Sequence, residues 1–252
     1  MKPFLSILAI PAVTLIFSIP AHADFVGFKI GAEYWGPSLS GTFSSTGETD
    51  IDLSDDLGVD DPSPSSLVLT LEHPVPVLPN IRYRGIELDS KGNKPLTRDI
   101  VFDGQTYSAG ETVSTNFDLT HDDVVLYYEL MDNWVSLDFG LDVKVFDGEV
   151  SMVGSSNTVT SRIDVDETIP LLYLSARFDL PFSGFYVGAD ISNISIGDSG
   201  AEDATILLGY ESDIGLGIEG GLKTFSLELD DVNELNSNLE YDGAFINGYF
   251  HF

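Results

Sequence analysis

Eleven charged residues recur at spacings of two or four: Lys29 and Glu33, Arg82 and Arg84, Asp138, Asp142 and Lys144, Arg177 and Asp179, Glu219 and Lys223. In an extended strand that spacing puts each set on one face. The chemistry open to such sets is electrostatic. Opposite charges that meet across an enclosed space pair and fill it. Lining a narrow path instead, they act as a gate and select the ions that pass.

Other chemistry is weakly signalled. There is no cysteine, hence no disulfide framework, thiol nucleophile or thiolate metal site. Of four histidines only His121, in His121-Asp122-Asp123, stands where it would assist a water nucleophile. Such a run more often extends a solvated strand, so no enzymatic role is expected. Asp55, Asp56, Asp60 and Asp61 offer hard oxygens, but their spacing does not match a calcium loop. No metal site or cofactor is expected. With 41 acidic against 11 basic residues, a formal charge of −30, the chain lacks the basic footprint of a nucleic-acid binder.

The elements that must position the charges alternate with period two. Val135, Leu137, Phe139, Leu141, Val143 and Val145 share one face, while Ser136, Asp138, Gly140, Asp142 and Lys144 share the other. About eleven residues is the length a tilted strand needs to cross a bilayer. The first strand, Phe25 to Trp35, follows the same rule. So do segments around Ser66–Glu72, Ile81–Gly85, Val124–Glu129, Leu172–Leu180, Phe185–Ser192, Ala204–Glu211 and Leu216–Lys223, and the closing Tyr241–Phe252. Glu129 and Asp190 also fall on the charged registers. The inner glycines 140, 188, 209, 217 and 221 are expected to leave room for long Lys and Arg side chains.

Connections sort into two kinds. His73–Pro79, Met131–Asn133, Pro181–Gly184 and Ser212–Ile214 are short. They alternate with longer polar stretches at about Gly36–Ser66, Ser90–Ser114, Gly154–Arg162, Gly197–Asp203 and Asp230–Ser237. Four short turns on one side and five long loops on the other fit an all-β, antiparallel up-and-down transmembrane barrel of ten strands. Eight strands result if Ser66–Glu72 or Ala204–Glu211 does not span. Within the second loop Asp103-Gly104 signals a hairpin between residues 99–102 and 105–107. Aromatic girdles are only half legible. Trp134, Phe182, Phe185, Phe250 and Phe252 mark the turn side, whereas on the loop side Tyr34 points out and Trp35, Phe146 and Phe225 point in.

Lys2, an apolar stretch from Phe4 to Ile19 and Ala21-His22-Ala23 read as a cleaved secretory signal over residues 1–23, leaving 24–252 as one barrel domain with acidic outer loops. The final strand ends on Phe250 and Phe252 and resembles the assembly signal of bacterial outer-membrane barrels. That resemblance implies recognition by the barrel-assembly machinery and residence in the outer membrane of a Gram-negative cell, among lipid and lipopolysaccharide.

Glu72-His-Pro-Val-Pro-Val-Leu-Pro-Asn80, Tyr127-Tyr-Glu-Leu130, Asp132-Asn133, Val135-Ser-Leu-Asp138 and Gly248-Tyr-Phe-His-Phe252 carry a closer likeness. Through them the chain resembles a family of small outer-membrane β-barrel proteins of the OmpW/OmpA-like class, catalogued in bacteria with a GlyGly C-terminal sorting system. The resemblance spans essentially the whole of residues 24–252. It implies a porin-like or structural barrel and brings no catalytic residues. The expected role is a narrow channel for ions or small solutes, or a passive structural barrel. The alternative is a surface interaction protein acting through its loops, with divalent-cation or lipopolysaccharide contact.

Overall fold

The computed structural model describes residues 26–156, 160–232 and 234–252. The expected signal segment, 1–23, lies outside them. Seventeen strands follow in chain order: β1 (Gly27–Ser45), β2 (Ile51–Asp52), β3 (Ser65–Glu72), β4 (Asn80–Ile86), β5 (Asp89–Pro95), β6 (Ile100–Phe102), β7 (Gln105–Tyr107), β8 (Thr112–Asp118), β9 (His121–Met131), β10 (Val135–Phe146), β11 (Gly148–Gly154), β12 (Thr160–Val165), β13 (Thr168–Asp179), β14 (Phe185–Ile196), β15 (Ser199–Glu211), β16 (Leu216–Val232) and β17 (Leu235–His251).

Ten of them, β1, β3, β4, β9, β10, β13, β14, β15, β16 and β17, form an antiparallel sheet that closes where β17 pairs with β1, and the short β2 adds to the upper end of β1. The seam runs from Lys29↔His251 to Ser45↔Leu235. Below it Phe28 N donates to Phe252 O at 2.9 Å, and Phe252 N donates back to Phe28 O at 3.0 Å. Closure leaves no unpaired edge, which is what lets a sheet stand in hydrocarbon. Ser66–Glu72 and Ala204–Glu211 both lie in spanning strands, which excludes the eight-stranded alternative.

Outward side chains make an apolar belt: Ile30 and Tyr34 on β1, Leu172, Leu174 and Phe178 on β13, Ile206 and Leu208 on β15, Leu216, Ile218 and Leu222 on β16, and Ile246 on β17 are all exposed. Trp134, Phe182, Phe185, Phe250 and Phe252 are exposed at the turn end, where amphipathic rings favour an interface.

Above the belt the strands continue and the pattern inverts. On β16 Leu222 faces out, but Phe225, Leu227 and Leu229 are buried. On β17 Ile246 faces out, whereas Tyr241, Leu239 and Leu235 are buried. Trp35, Leu39 and Phe43 do the same on β1. Outside the bilayer the outer face meets water, so apolar residues move inside. This inversion explains the inward registers of Trp35, Phe146 and Phe225, which belong to a core and not to a girdle.

It also corrects two expected loops. Gly197–Asp203 and Asp230–Ser237 are largely paired strand: Gly197 and Asp198 alone separate β14 from β15, and β16 and β17 pair up to Val232↔Leu235. The other three outer connections fold together. The four-stranded sheet β12-β11-β8-β5 and the hairpin β6-β7 sit over the loop end of the barrel. The Asp103-Gly104 turn is present, with φ of 52° and 68° as a tight reverse turn requires. Its hairpin forms a separate two-stranded sheet and does not extend the barrel strands.

Candidate functional site

The barrel interior has three layers. The lowest is a cavity of about 810 Å³ that reaches the turn end, where His73, Pro74, Asp132 and Phe252 line it. Lys29, Arg82 and Arg177 sit on its wall with acidic partners. Lys29 lies 3.5 Å from Glu72, and Arg82 lies 3.9 Å from Asp190. Arg177 bonds Asp179 at 2.8 Å and stacks 3.6 Å over the Tyr186 ring. Glu219 accepts hydrogen bonds from Tyr186 Oη at 2.8 Å and Asn247 Nδ2 at 2.9 Å. Asp138 lines the same space.

The middle layer is a buried ion cluster. Asp123 stands in register between Arg84 on β4 and Lys144 on β10, so three adjacent strands present alternating charge in one row. Arg84 Nη2 lies 2.6 Å from Asp123 and 2.9 Å from Asp203; Lys144 Nζ lies 2.9 Å and 3.0 Å from the same two groups. Asp203 comes from β15, which does not neighbour β4, β9 or β10, so it ties the row to the far wall. Lys223 pairs with Glu33, which also lies 3.9 Å from Arg84. Asp142 lies 3.8 Å from Lys144. Lys144 is 0% and Lys223 2% exposed.

Aromatic packing closes the top. His121 is buried with ring centroids 4.7 Å from Phe146 and 5.6 Å from Phe225. Its Nδ1 is 2.7 Å from Leu119 O. Phe225 stacks on Tyr241, and Tyr241 meets Trp35. Above them Phe43, Leu57, Phe102, Phe117, Val150 and Met152 form the core shared by barrel rim and head.

All eleven charged residues singled out by spacing face the interior of this barrel. Glu33, Arg84, Asp142, Lys144 and Lys223 meet in the cluster. Lys29, Arg82, Asp138, Arg177, Asp179 and Glu219 line the cavity. Asp123, Asp203 and Glu72 complete the pairs and were not singled out. Strand parity would have found them: Asp123 is two before Val125, and Asp203 two before Thr205. His121 faces the buried layer and not solvent, because it shares the inward parity of Asp123, Val125 and Tyr127 on β9.

The glycines serve another purpose than expected. A Cβ at Gly209 would collide with the Tyr186 ring and one at Gly217 with the Tyr249 ring, while one at Gly140 or Gly221 would meet the neighbouring backbone. These four make room for tyrosines and close strand approach, not for Lys or Arg, while Gly188 lies against the Leu207 side chain.

In the head, Asp56 receives a fork from Arg98, Nε at 3.1 Å and Nη2 at 2.5 Å, plus the Asp52 amide at 3.0 Å. Asp61 Oδ1 accepts from Leu39 N at 2.8 Å. Asp56 and Asp61 thus brace backbone and a side chain. Among the described residues no three His, Asp or Glu side chains converge as metal ligands.

Burial pushes the Asp56 carboxyl up, but the hydrogen bonds from Arg98 and Asp52 outweigh it and hold the group below its ordinary value. A lowered carboxylate gives stability that is present above its unfolded value and lost as pH falls through the folded one. The near-ultraviolet circular dichroism of the head aromatics should therefore hold from pH 7 to about 5. It should weaken only below about 3.9, the ordinary Asp value. Weakening already between 7 and 5 would contradict this assignment.

No protein-family model and no curated protein matches the chain. Among solved structures, the outer membrane protease OmpT from Escherichia coli matches at 11% identity over 89% of this chain and 97% of that one, with a TM-score of 0.45. The CymD monoaromatic hydrocarbon channel matches at 10% over 89% and 69%, TM-score 0.37. The outer membrane protein OprG from Pseudomonas aeruginosa matches at 9% over 90% and 95%, TM-score 0.29. At such values a likeness carries no function. Closure and the apolar belt make this chain an integral β-barrel of the bacterial outer-membrane class.

Proposed function

We propose that the protein is a passive outer-membrane barrel whose lumen is shut, holding an acidic folded head at the cell surface and a polar cup open towards the periplasm. One observation carries this reading: the buried ion cluster and the aromatic layer above it stand in series across the lumen. A narrow conducting channel would need a continuous wetted path. Membership of the small-barrel family catalogued beside GlyGly sorting systems belongs to the same proposal. So does delivery by the assembly machinery through Phe250 and Phe252 on the closing strand.

Planar-bilayer recording tests it. The purified barrel should give no steady openings, and steady unitary conductance from the unaltered protein would overturn the proposal. A second reading, surface interaction through the head, is favoured by the folding of three outer connections into a sheeted unit whose core is continuous with the barrel rim. Lipopolysaccharide bridged by divalent ions is the contact its acidic surface suits. Binding of lipopolysaccharide vesicles that chelator abolishes would support that reading, and chelator-insensitive absence of binding would remove it.

A further inference from the structure

The cavity below the cluster holds more acid than base: eleven of its lining side chains are Asp or Glu and five are Lys or Arg. Water and salt would meet a plain excess of charge. Two atoms ask for more. Asp138 Oδ1 and Asp142 Oδ1 are each enclosed without a hydrogen-bond partner among the described residues, and both side chains line the cavity. Asp142 is 2% exposed. Its other oxygen is 3.8 Å from Lys144 Nζ, beyond hydrogen-bond reach, and Lys144 is already held by Asp123 and Asp203.

The cluster sets four carboxylates (Glu33, Asp123, Asp142 and Asp203) against three cations (Arg84, Lys144 and Lys223). His121 reaches Asp123, not Asp142. Asp142 therefore shares its one cation, Lys144, with two closer carboxylates, and this under-compensated buried charge is costly unless something adds to it. Towards the mouth, Asp138 stands directly opposite Glu129 on β9, and Glu129 has no ion pair among the described residues. Facing like charges are unfavourable in a sheet unless a cation sits between them.

Asp138 and Asp142 lie on one face of β10, four residues and so about 13 Å apart at roughly 3.3 Å per residue. Gly140 separates them. Its register partners are Tyr127 and Tyr173, whose rings meet edge-on at 6.1 Å and line the cavity. Two anionic anchors joined by an aromatic wall suit a flexible apolar chain with an ammonium at each end. A single metal ion fits poorly, because among the described residues no three acids converge.

We propose that the periplasm-facing cavity binds a linear polyamine, one ammonium at Asp142 and another between Asp138 and Glu129, with methylenes along Tyr127 and Tyr173. Calorimetric titration of the full chain, folded in detergent micelles, with spermidine tests it; 1,8-octanediol and magnesium chloride serve as comparators. Saturable one-to-one binding is expected, at least tenfold weaker in Asp138→Asn and in Asp142→Asn and unchanged in the head variant Asp55→Asn. The diol should not bind.

Absence of saturable binding would overturn the proposal. Equal binding by all three variants would too, since it would mean attraction to net charge. Displacement of spermidine by equimolar magnesium would reassign the site to a point charge and overturn it as well. Heat-modifiable gel mobility verifies folding, and Asp138→Asn decides the matter if Asp142→Asn does not fold. A silent barrel and a conducting one can both bind the amine, so this result stands apart from the conductance test.

Discussion

Lys144→Ala should cost the barrel about 3–5 kcal/mol, the range for removing one partner of a buried ion pair. Lys144 is wholly buried and touches Asp123 and Asp203 at 2.9 and 3.0 Å. Without it Arg84 is the one cation left within hydrogen-bond reach of both carboxylates. The loss arises from the charges left behind, not from the contact itself. Lys144→Ala combined with Asp123→Ala should therefore recover part of it.

Urea unfolding in micelles, followed by heat-modifiable gel mobility, measures the effect. Arg177→Ala is the contrast. Arg177 lies at the mouth, bonded to Asp179 two residues away, and should cost at most about 1 kcal/mol, as for partly solvated pairs. Similar losses for the two variants would show that the cluster has no special weight. The same Lys144 variant should stay silent in planar bilayers, because the aromatic layer of Phe146, Phe225 and Tyr241 still closes the lumen above the cluster.

The second large effect is expected in the head. Phe43 is 1% exposed, and its ring packs 5.4 Å from both Phe102 and Phe117. It reaches up from β1 into the core beneath the hairpin and the four-stranded sheet, so Phe43→Ala should cost about 3–5 kcal/mol of packing. The cost should fall first on the head and the barrel rim, which share this core. The spanning part is held by its own closed ladder, and parts of a protein open with different free energies.

Limited proteolysis should therefore cut the Phe43→Ala protein between β4 and β9 or between β10 and β13, leaving a folded, heat-modifiable barrel. Loss of the barrel together with the head would show the two to be one cooperative unit. Unchanged resistance would show that the core under the head contributes little.

Much of the fold could be read from periodicity. Strict alternation in Val135–Val145 follows from two unlike surroundings on the two faces of one strand, and a strand of that kind carries its parity in its own residues. Turn residues, another local signal, located the Asp103-Gly104 turn and the four short connections. Where strands left the bilayer the reading failed. Phe225, Leu227 and Leu229 lie inside, in antiphase to Leu222, and the polar outward residues between them look like loop.

By itself, then, the sequence determined which face of each spanning segment is charged and which is greasy, because period two is a property of the backbone and needs no partner. Only the tertiary structure decided which charges meet and where the lumen ends. Arg84, Asp123, Lys144 and Asp203 come from four strands, and their meeting depends on the stagger with which the sheet closes. The aromatic layer exists because bilayer gives way to water partway up the same strands, a boundary set by the assembled barrel and by no residue alone.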